Sequence, residues 1–442
     1  MLVLKFGGTS VGSIQNIKKI QEIVDDGQPK VVVLSAMSGS TNTLVSIAEA
    51  IQNQEKEKAS QLILKLKDHY TSTAFQLLEE NETYQLVADH INTMTAQLLG
   101  YSYSPYQESF TDKILAQGEL FSTLLVHHYF KSQGLSSALI SALDFMRVDK
   151  ENEPDQFYIQ QNLTRLLKGY PNNQIFVTQG FICLDANGNI SNLRRGGSDY
   201  SATIIGAALK AKEVQIWTDI DGFHNNDPRV VENTTSIAQL SFDEAAELAY
   251  FGAKILHPQT VIPAREKNIP VRLKNTMQPT ALGTLISTER KGEGIKAIAA
   301  KDDITVIKIK SERMLLAHGF LKKVFEIFEK YETSIDMITT SEIAVSLTID
   351  QPTYIKEITS ELEKFSTVEV ESNKSIVCLV GNNIVHHKDT PKLFQILQDV
   401  SVRMIAYGGS NNNISLLINT PDKATTLQLL NQYVFTTVRL VH

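Results

Sequence analysis

The sequence predicts an α/β sandwich with a mainly parallel sheet over residues 1–290, followed by two small α+β units at 302–374 and 375–442. Three observations carry this. Apolar strand-like runs alternate with helix-like segments as far as about residue 290. A lysine and two glycines stand at the first strand-to-helix junction. Beyond a Lys291-Gly292-Glu293-Gly294 linker, the chain repeats itself.

The elements follow in order. Val3 and Leu4 read as a short buried strand, and Ile14, Ile17 and Ile20 mark one face of a helix. Between them lies Lys5-Phe6-Gly7-Gly8-Thr9-Ser10-Val11. Backbone N–H groups at such a turn converge on an anion, and Lys5 adds a fixed positive charge. The same stretch also fits a tight turn with a surface lysine. Val31 to Leu34 is a continuous apolar run, typical of a strand buried on both faces. It ends in a small-residue loop, 35–42, that feeds a helix from Leu44. A polar-rich helical block spans about 54–99, and further strands are expected at 175–178, 214–218 and 271–273. Ligands then belong at the carboxyl ends of the strands.

In the C-terminal part, a helix at 323–328 and a strand at 334–338 match a helix at 392–397 and a strand at 401–405. Each copy continues as strand, helix, strand: 344–349, 354–365 and 368–371, then 414–418, 424–433 and 437–441. With leading strands at 304–309 and 375–380 this is a ferredoxin-like βαββαβ unit twice, the duplication allowing the two to exchange leading strands. Such a pair reads as a regulatory sensor or as a structural dimerisation module.

A chain of 442 residues with a formal charge of −7 and no basic block argues against a nucleic-acid surface. Two distant cysteines, Cys183 and Cys378, exclude a disulfide framework and fit a reducing compartment. The ten histidines show no metal spacing, and no metal-ligand set is expected. No apolar run has signal-peptide or membrane-span length, so a soluble cytoplasmic protein is expected.

Four segments carry chemistry in the large domain. Gln117-Gly118-Glu119 opens an apolar helix, where Glu119 serves equally as a cap or dipole partner. Arg194-Arg195-Gly196-Gly197-Ser198-Asp199 is more specific. Its glycines permit close backbone approach, Ser198 or Asp199 caps the helix at 200–209, and Arg195 offers a planar fork for a carboxylate. Residues 216–229 form a strand ending in polar residues and a turn, which holds a nucleotide or merely makes a tight connection. Lys254 stands beside Gly252, and His257-Pro258 shapes a helix start.

Taken together, segments 5–11, 35–42, 117–119, 194–202, 217–229 and 251–258 resemble the aspartate kinases of the amino-acid kinase superfamily, and the paired C-terminal units resemble ACT domains. The resemblance implies an enzyme that moves the ATP γ-phosphoryl group to the β-carboxylate of L-aspartate, the first step towards lysine, threonine and methionine. It implies that Lys5, Gly7 and Gly8 hold the phosphates and that Asp199 organises the lysines and the substrate. Thr41, Glu119, Arg195 and Ser198 would seat aspartate. Thr218, Asp219, His224, Arg229 and Lys254 would line the nucleotide, which brings Mg²⁺ with it. The first ACT unit resembles the lysine-inhibited class through Met314, Gly319, Phe320, Leu321, Ser334, Ile335, Asp336, Thr340, Ser341 and Glu342. L-lysine is the implied effector, with its ammonium at Asp336 and Glu342. A homodimer through the ACT units is expected, with a tetramer as the alternative. The chain ends at His442, and a monofunctional enzyme is expected. Three positions depart from the family pattern: Arg194 for glycine, His224 for tyrosine, and Ala317 where lysine-inhibited relatives carry serine.

Overall fold

The computed structural model describes residues 1–193, 196–252, 256–311 and 318–437. They divide into two compact units. The first holds Met1–Phe223, Ala238–Phe242 and Leu256–Glu289; the second holds His224–Ile237, Asp243–Ile255 and Arg290–His442.

In the first unit an eight-stranded sheet runs in the order β3-β4-β2-β1-β7-β9-β10-β8. Its strands are β1 (Leu2–Phe6), β2 (Lys30–Leu34), β3 (Ser137–Leu139), β4 (Ile175–Gln179), β7 (Glu213–Thr218), β8 (Gln239–Ser241), β9 (Val271–Asn275) and β10 (Thr284–Ser287), while β5 (Ile182–Leu184) and β6 (Ile190–Asn192) form a separate antiparallel pair. All sheet neighbours are parallel except β9 and β10. The order places β1 at the centre, with Lys5 opposite Val33 of β2 and Ile216 of β7. Val31, Val32, Val33 and Leu34 are fully buried, as their unbroken apolar run requires. The helical block is two helices, Lys56–Leu78 and Glu82–Tyr103, not one. Glu79 takes a positive φ of 58°, and Asn81 caps the second helix through the Tyr84 N–H.

The second unit is built on a six-stranded antiparallel sheet, β12-β13-β11-β14-β16-β15. Its strands are β11 (Gly294–Lys310), β12 (Ile338–Thr340), β13 (Ala344–Ile349), β14 (Thr367–Asn382), β15 (Met404–Tyr407) and β16 (Asn413–Asn419). The long β11 and β14 pair along nearly their whole length, so each serves both halves of the sheet. The helices Phe320–Lys330 and Ile355–Leu362 cover one half through Val324, Phe328, Ile358 and Leu362. In the other half, Leu393, Leu427 and Leu430 pack against Val377, Leu379 and Leu416.

Two stretches pack with the second unit. Gly294, the last residue of the expected 291–294 linker, already opens β11, and Ile295–Lys301 pairs with 376–381 and supplies a strand to the second repeat. The expected last strand of that repeat, 437–441, lies outside the described residues from 438 onward. Segments 224–237 and 243–252 pack within the second compact unit. For 224–237 the physical reason is burial: Val231 packs into the core formed by Ile298, Val377 and Leu427.

Candidate active site and effector site

The site in the first unit begins at the end of β1. Gly7 donates its N–H to the Trp217 carbonyl at 3.1 Å, and Gly8 accepts from the Ser38 N–H at 3.1 Å. These bonds stitch the glycine turn to β7 on one side and to the loop after β2 on the other. A Cβ on Gly8 would meet the Ala36 carbonyl at 3.1 Å, and one on Gly12 would meet the Gly8 carbonyl at 2.9 Å. Among the described residues, the N–H groups of Gly8, Thr9 and Ser10 donate to nothing in the chain. Three unused donors in one turn form an anion cradle.

Lys5 stands beside that cradle. Its Nζ lies 2.6 Å from Asp199 Oδ1, both side chains being largely buried. The approach is a close ion pair rather than an aligned hydrogen bond, since Oδ1 meets no donor at hydrogen-bonding angles. Asp199 sits in the first turn of the Gly197–Leu209 helix, where the positive helix end favours a carboxylate. That helix begins on Gly196 at φ 69°. A Cβ there would fall 1.9 Å from Thr260 Cγ2, so glycine is required. Ser198 is buried, pressed against Gly180, where a Cβ would lie 2.3 Å from the Ser198 Cβ.

Glu119 occupies the first turn of the Gln117–Ser132 helix and is 5% exposed. Its Oε1 accepts the Ala36 N–H at 3.1 Å. Gly118 lets this helix approach, because a Cβ would come within 2.7 Å of Ala36 Cβ. Burial pushes the Glu119 carboxyl up to about 7, against the opposing pull of the Ala36 N–H and the Lys5 charge. Thr41 is exposed in the first turn of the Ser40–Gln52 helix, in the same loop-to-helix segment. Lys5, Asp199, Glu119, Ser198 and the glycine turn thus gather around the carboxyl ends of β1, β2, β4 and β7.

On the nucleotide side, Thr218 ends β7 and Asp219 follows, exposed, with a 3.1 Å bond between the two side chains. His224 and Arg229 belong to the second unit. His224 Nδ1 shares a 2.9 Å hydrogen bond with Thr234 Oγ1, and Arg229 is exposed and ion-paired to Asp227 at 2.8 Å. Arg195 and Lys254 lie outside the described residues, as does the departure Arg194.

Two residues of the site escaped the sequence reading. Phe181 adopts φ 65°, its N–H held by Ser201 Oγ at 2.8 Å, and its ring reaches the Gly197 position. Thr276 bonds Ser10 Oγ at 2.7 Å and donates its N–H to the Thr218 carbonyl at 2.8 Å, tying the glycine turn to the nucleotide strand. The polar Asn275-Thr276 pair closing the alternating strand β9 was the available signal for the second. No sequence signal marks the first.

In the second unit Gly319, at φ 83°, starts the Phe320–Lys330 helix. Leu321 is partly exposed, whereas Phe320 is buried. Ser334, Thr340, Ser341 and Glu342 are exposed, and Ile335 is half-buried. Asp336 differs: its carboxylate is buried. Oδ1 accepts from the Tyr250 hydroxyl at 2.7 Å and from Lys301 Nζ at 2.9 Å, while Oδ2 has no partner. Lys301 also pairs with Asp350 at 2.8 Å and lies 4.4 Å over the Tyr250 ring. An internal ammonium therefore already stands at the acidic residue expected to meet an effector. Met314 and Ala317 lie outside the described residues.

The model of the amino acid kinase family matches residues 1–275, and an ACT domain model matches 377–433. Fold and site together define a phosphotransferase of that family with an ACT module. The lysine-sensitive aspartokinase 3 of Escherichia coli (strain K12) is 33% identical over 455 residues, covering 98% of this chain and 99% of its own. The solved structure of E. coli aspartokinase III in complex with aspartate and ADP matches with a TM-score of 0.82 at 32% identity, over 98% of this chain and 100% of that chain. The same enzyme in complex with lysine and aspartate also gives 0.82 at 32% identity, over 98% of this chain and 99% of that chain. This chain belongs to the aspartokinases.

Proposed function

We propose that this chain transfers the γ-phosphoryl group of ATP to the β-carboxylate of L-aspartate, giving 4-phospho-L-aspartate and ADP, under feedback control by L-lysine. The observation that carries the reading is the 2.6 Å Lys5–Asp199 pair beside three unused amides, with Glu119 close enough to feel the Lys5 charge. The β-carboxylate is already ionised at neutral pH, so the nucleophile needs no general base. One carboxylate oxygen attacks the γ-phosphorus as the bond to the β-phosphate oxygen breaks, and ADP leaves with that electron pair. The protein's contribution is positioning and charge neutralisation.

Lys5 and the amides of Gly8, Thr9 and Ser10 neutralise the transferring group, with Asp199 holding Lys5 in place. Glu119 receives the α-ammonium, Arg195 the α-carboxylate, and Thr41 and Ser198 complete the seat. Thr218, Asp219, His224, Arg229 and Lys254 serve the nucleotide. Mg²⁺ comes as the counter-ion of ATP. Among the described residues, no cluster of three His, Cys, Asp or Glu side chains forms a cage for it.

For regulation, Asp336 and Glu342 take the effector's side-chain ammonium, and the first turn at Phe320 and Leu321 takes its carboxylate. Gly319, Ser334, Ile335, Thr340, Ser341 and Met314 frame the pocket. The E. coli enzyme with lysine bound supports this reading. The protein works as a cytoplasmic homodimer through its ACT sheet, whose edge strands β12 and β15 expose Ile338, Ile405 and Tyr407. Trapping the acyl phosphate with hydroxylamine tests the whole reading. Hydroxamate formed from ATP with aspartate but not glutamate, and suppressed by L-lysine, is the expected result. No product with aspartate would refute it.

A further inference from the structure

A cavity of about 860 Å³ opens in the first unit among the Glu82–Tyr103, Ser109–Leu115 and Gln117–Ser132 helices and the ends of β3 and β4. None of the phosphate or aspartate residues named above lines it. Its size falls within the range of small-molecule sites. Phe110, Leu120 and Leu124 form an apolar wall. Gln117, Leu120 and Leu124 share one stripe of their helix, on a face turned away from Glu119.

Gln179, Ser104 and His90 on the cavity lining are hydrogen-bonded within the chain, whereas Gln117 and Lys113 keep unmet capacity. Gln117 is 5% exposed, and its Nε2 donates to the Lys113 carbonyl at 3.2 Å. That bond commits the amide nitrogen and leaves Oε1, which is buried and has no donor. A buried acceptor in this position calls for an N–H from a ligand. Lys113, one helical turn back and half-buried, has no carboxylate partner among the described residues. It calls for an anion. Asp144 stands exposed on the rim, where solvent screens its negative charge.

A ligand that answers these demands carries an ammonium and a carboxylate close together, joined to an apolar body. A phosphate would satisfy Lys113 but would place negative charge against Gln117 Oε1 and near Asp144. A diamino acid would drive a second ammonium into the apolar wall without a partner. We propose that this cavity binds a free α-amino acid with a large apolar side chain, of the leucine or phenylalanine class. Its carboxylate meets Lys113, its ammonium meets Gln117 Oε1, and its side chain packs on Phe110, Leu120 and Leu124. The proposal is independent of the effector reading for the second unit.

The test uses the full chain, with thermal unfolding and titration calorimetry against L-leucine, L-phenylalanine, 3-phenylpropionate and phenethylamine. At least one of the two amino acids should bind saturably at roughly 10 mM or below and raise Tm by about 2 °C or more. The analogues lacking the ammonium or the carboxylate should bind about tenfold more weakly or worse. Lys113→Met, at a half-exposed position, should keep the ligand-free Tm and weaken binding by about tenfold. Leu124→Trp should crowd the apolar wall and weaken binding. Absence of saturable binding by either amino acid overturns the proposal. So does equal binding of either truncated analogue, or unchanged affinity in Lys113→Met.

Discussion

Glu119 should release a proton when aspartate binds, and the amount is calculable. The buried carboxyl titrates at about 7, against an ordinary 4.5. An ammonium placed against it removes the reason for protonation, because an opposite charge favours the ionised form. If pairing drives ionisation to completion, binding should release about 0.9 proton per site at pH 6, about 0.5 at pH 7 and about 0.1 at pH 8. Calorimetry in buffers of different ionisation enthalpy reads this number directly. Glu119→Gln should abolish the release and raise KM for aspartate far more than KM for ATP. The same group affects stability with a definite sign. Its folded value lies above its unfolded one, so folding is favoured most below pH 4.5, and that contribution is lost as pH rises through 7. The gap, at roughly 1.36 kcal/mol per pH unit, comes to about 3 kcal/mol at pH 8. Glutamine keeps an acceptor for the Ala36 N–H without the charge, so Glu119→Gln should gain stability at pH 8 and little at pH 5. Aspartate binding with no proton release between pH 6 and pH 8, or a Gln variant equally stabilised at both pH values, would refute the reasoning.

Lys5→Ala should lose about 10²-fold or more in kcat while the fold survives, and stopped assays over a wide enzyme range would detect any residue of activity. Wild-type turnover would remove Lys5 from the phosphate site. Asp336→Asn should shift the L-lysine inhibition midpoint upward by about tenfold, since a charge-assisted bond becomes a neutral one, while uninhibited kcat stays near wild type. L-threonine alone should inhibit weakly or not at all, and full activity at saturating lysine would sink the effector assignment. Sedimentation at micromolar concentration should show twice the 49.2 kDa chain mass; a pure monomer would remove the ACT-edge dimer.

Much of the site was legible because it is local. The Lys5-Phe6-Gly7-Gly8 turn, the Gln117-Gly118-Glu119 helix start and the Gly196-Gly197-Ser198-Asp199 cap each carry their chemistry within a few residues. Strand positions β1, β2, β4, β7 and β9 followed from short apolar stretches, unbroken and buried on both faces only in β2. What could not be read depends on distant partners. Residues 295–301 carry no element in the sequence reading and become a strand only through residues 376–381, some eighty positions away. Phe181 takes its left-handed backbone because Ser201 holds its N–H, a contact that no local pattern encodes. Asp336 reads as a surface acid awaiting a ligand, yet Lys301 and Tyr250 already bind it. An effector at Asp336 would therefore compete with an ammonium belonging to the protein.

Lys5 ties the two halves of the catalytic site together, and this leads to a coupling. Its ammonium faces Asp199 at 2.6 Å and also lowers the proton affinity of Glu119. A triphosphate in the glycine turn offers that ammonium a stronger partner and draws its charge away from Glu119. Glu119 then loses a compensating cation and holds its proton more tightly until the aspartate ammonium arrives. Aspartate binding should therefore release more protons at pH 7 in the presence of a non-hydrolysable ATP analogue than in its absence. The increase should vanish in Lys5→Met, which keeps the side-chain length without the charge. Asp199→Asn should not enlarge the release seen without nucleotide, because it leaves the Lys5 charge near Glu119 and removes its counter-charge. If the analogue leaves proton release unchanged in the wild type, Lys5 does not transmit charge between the two substrate seats, and positioning alone must account for their cooperation.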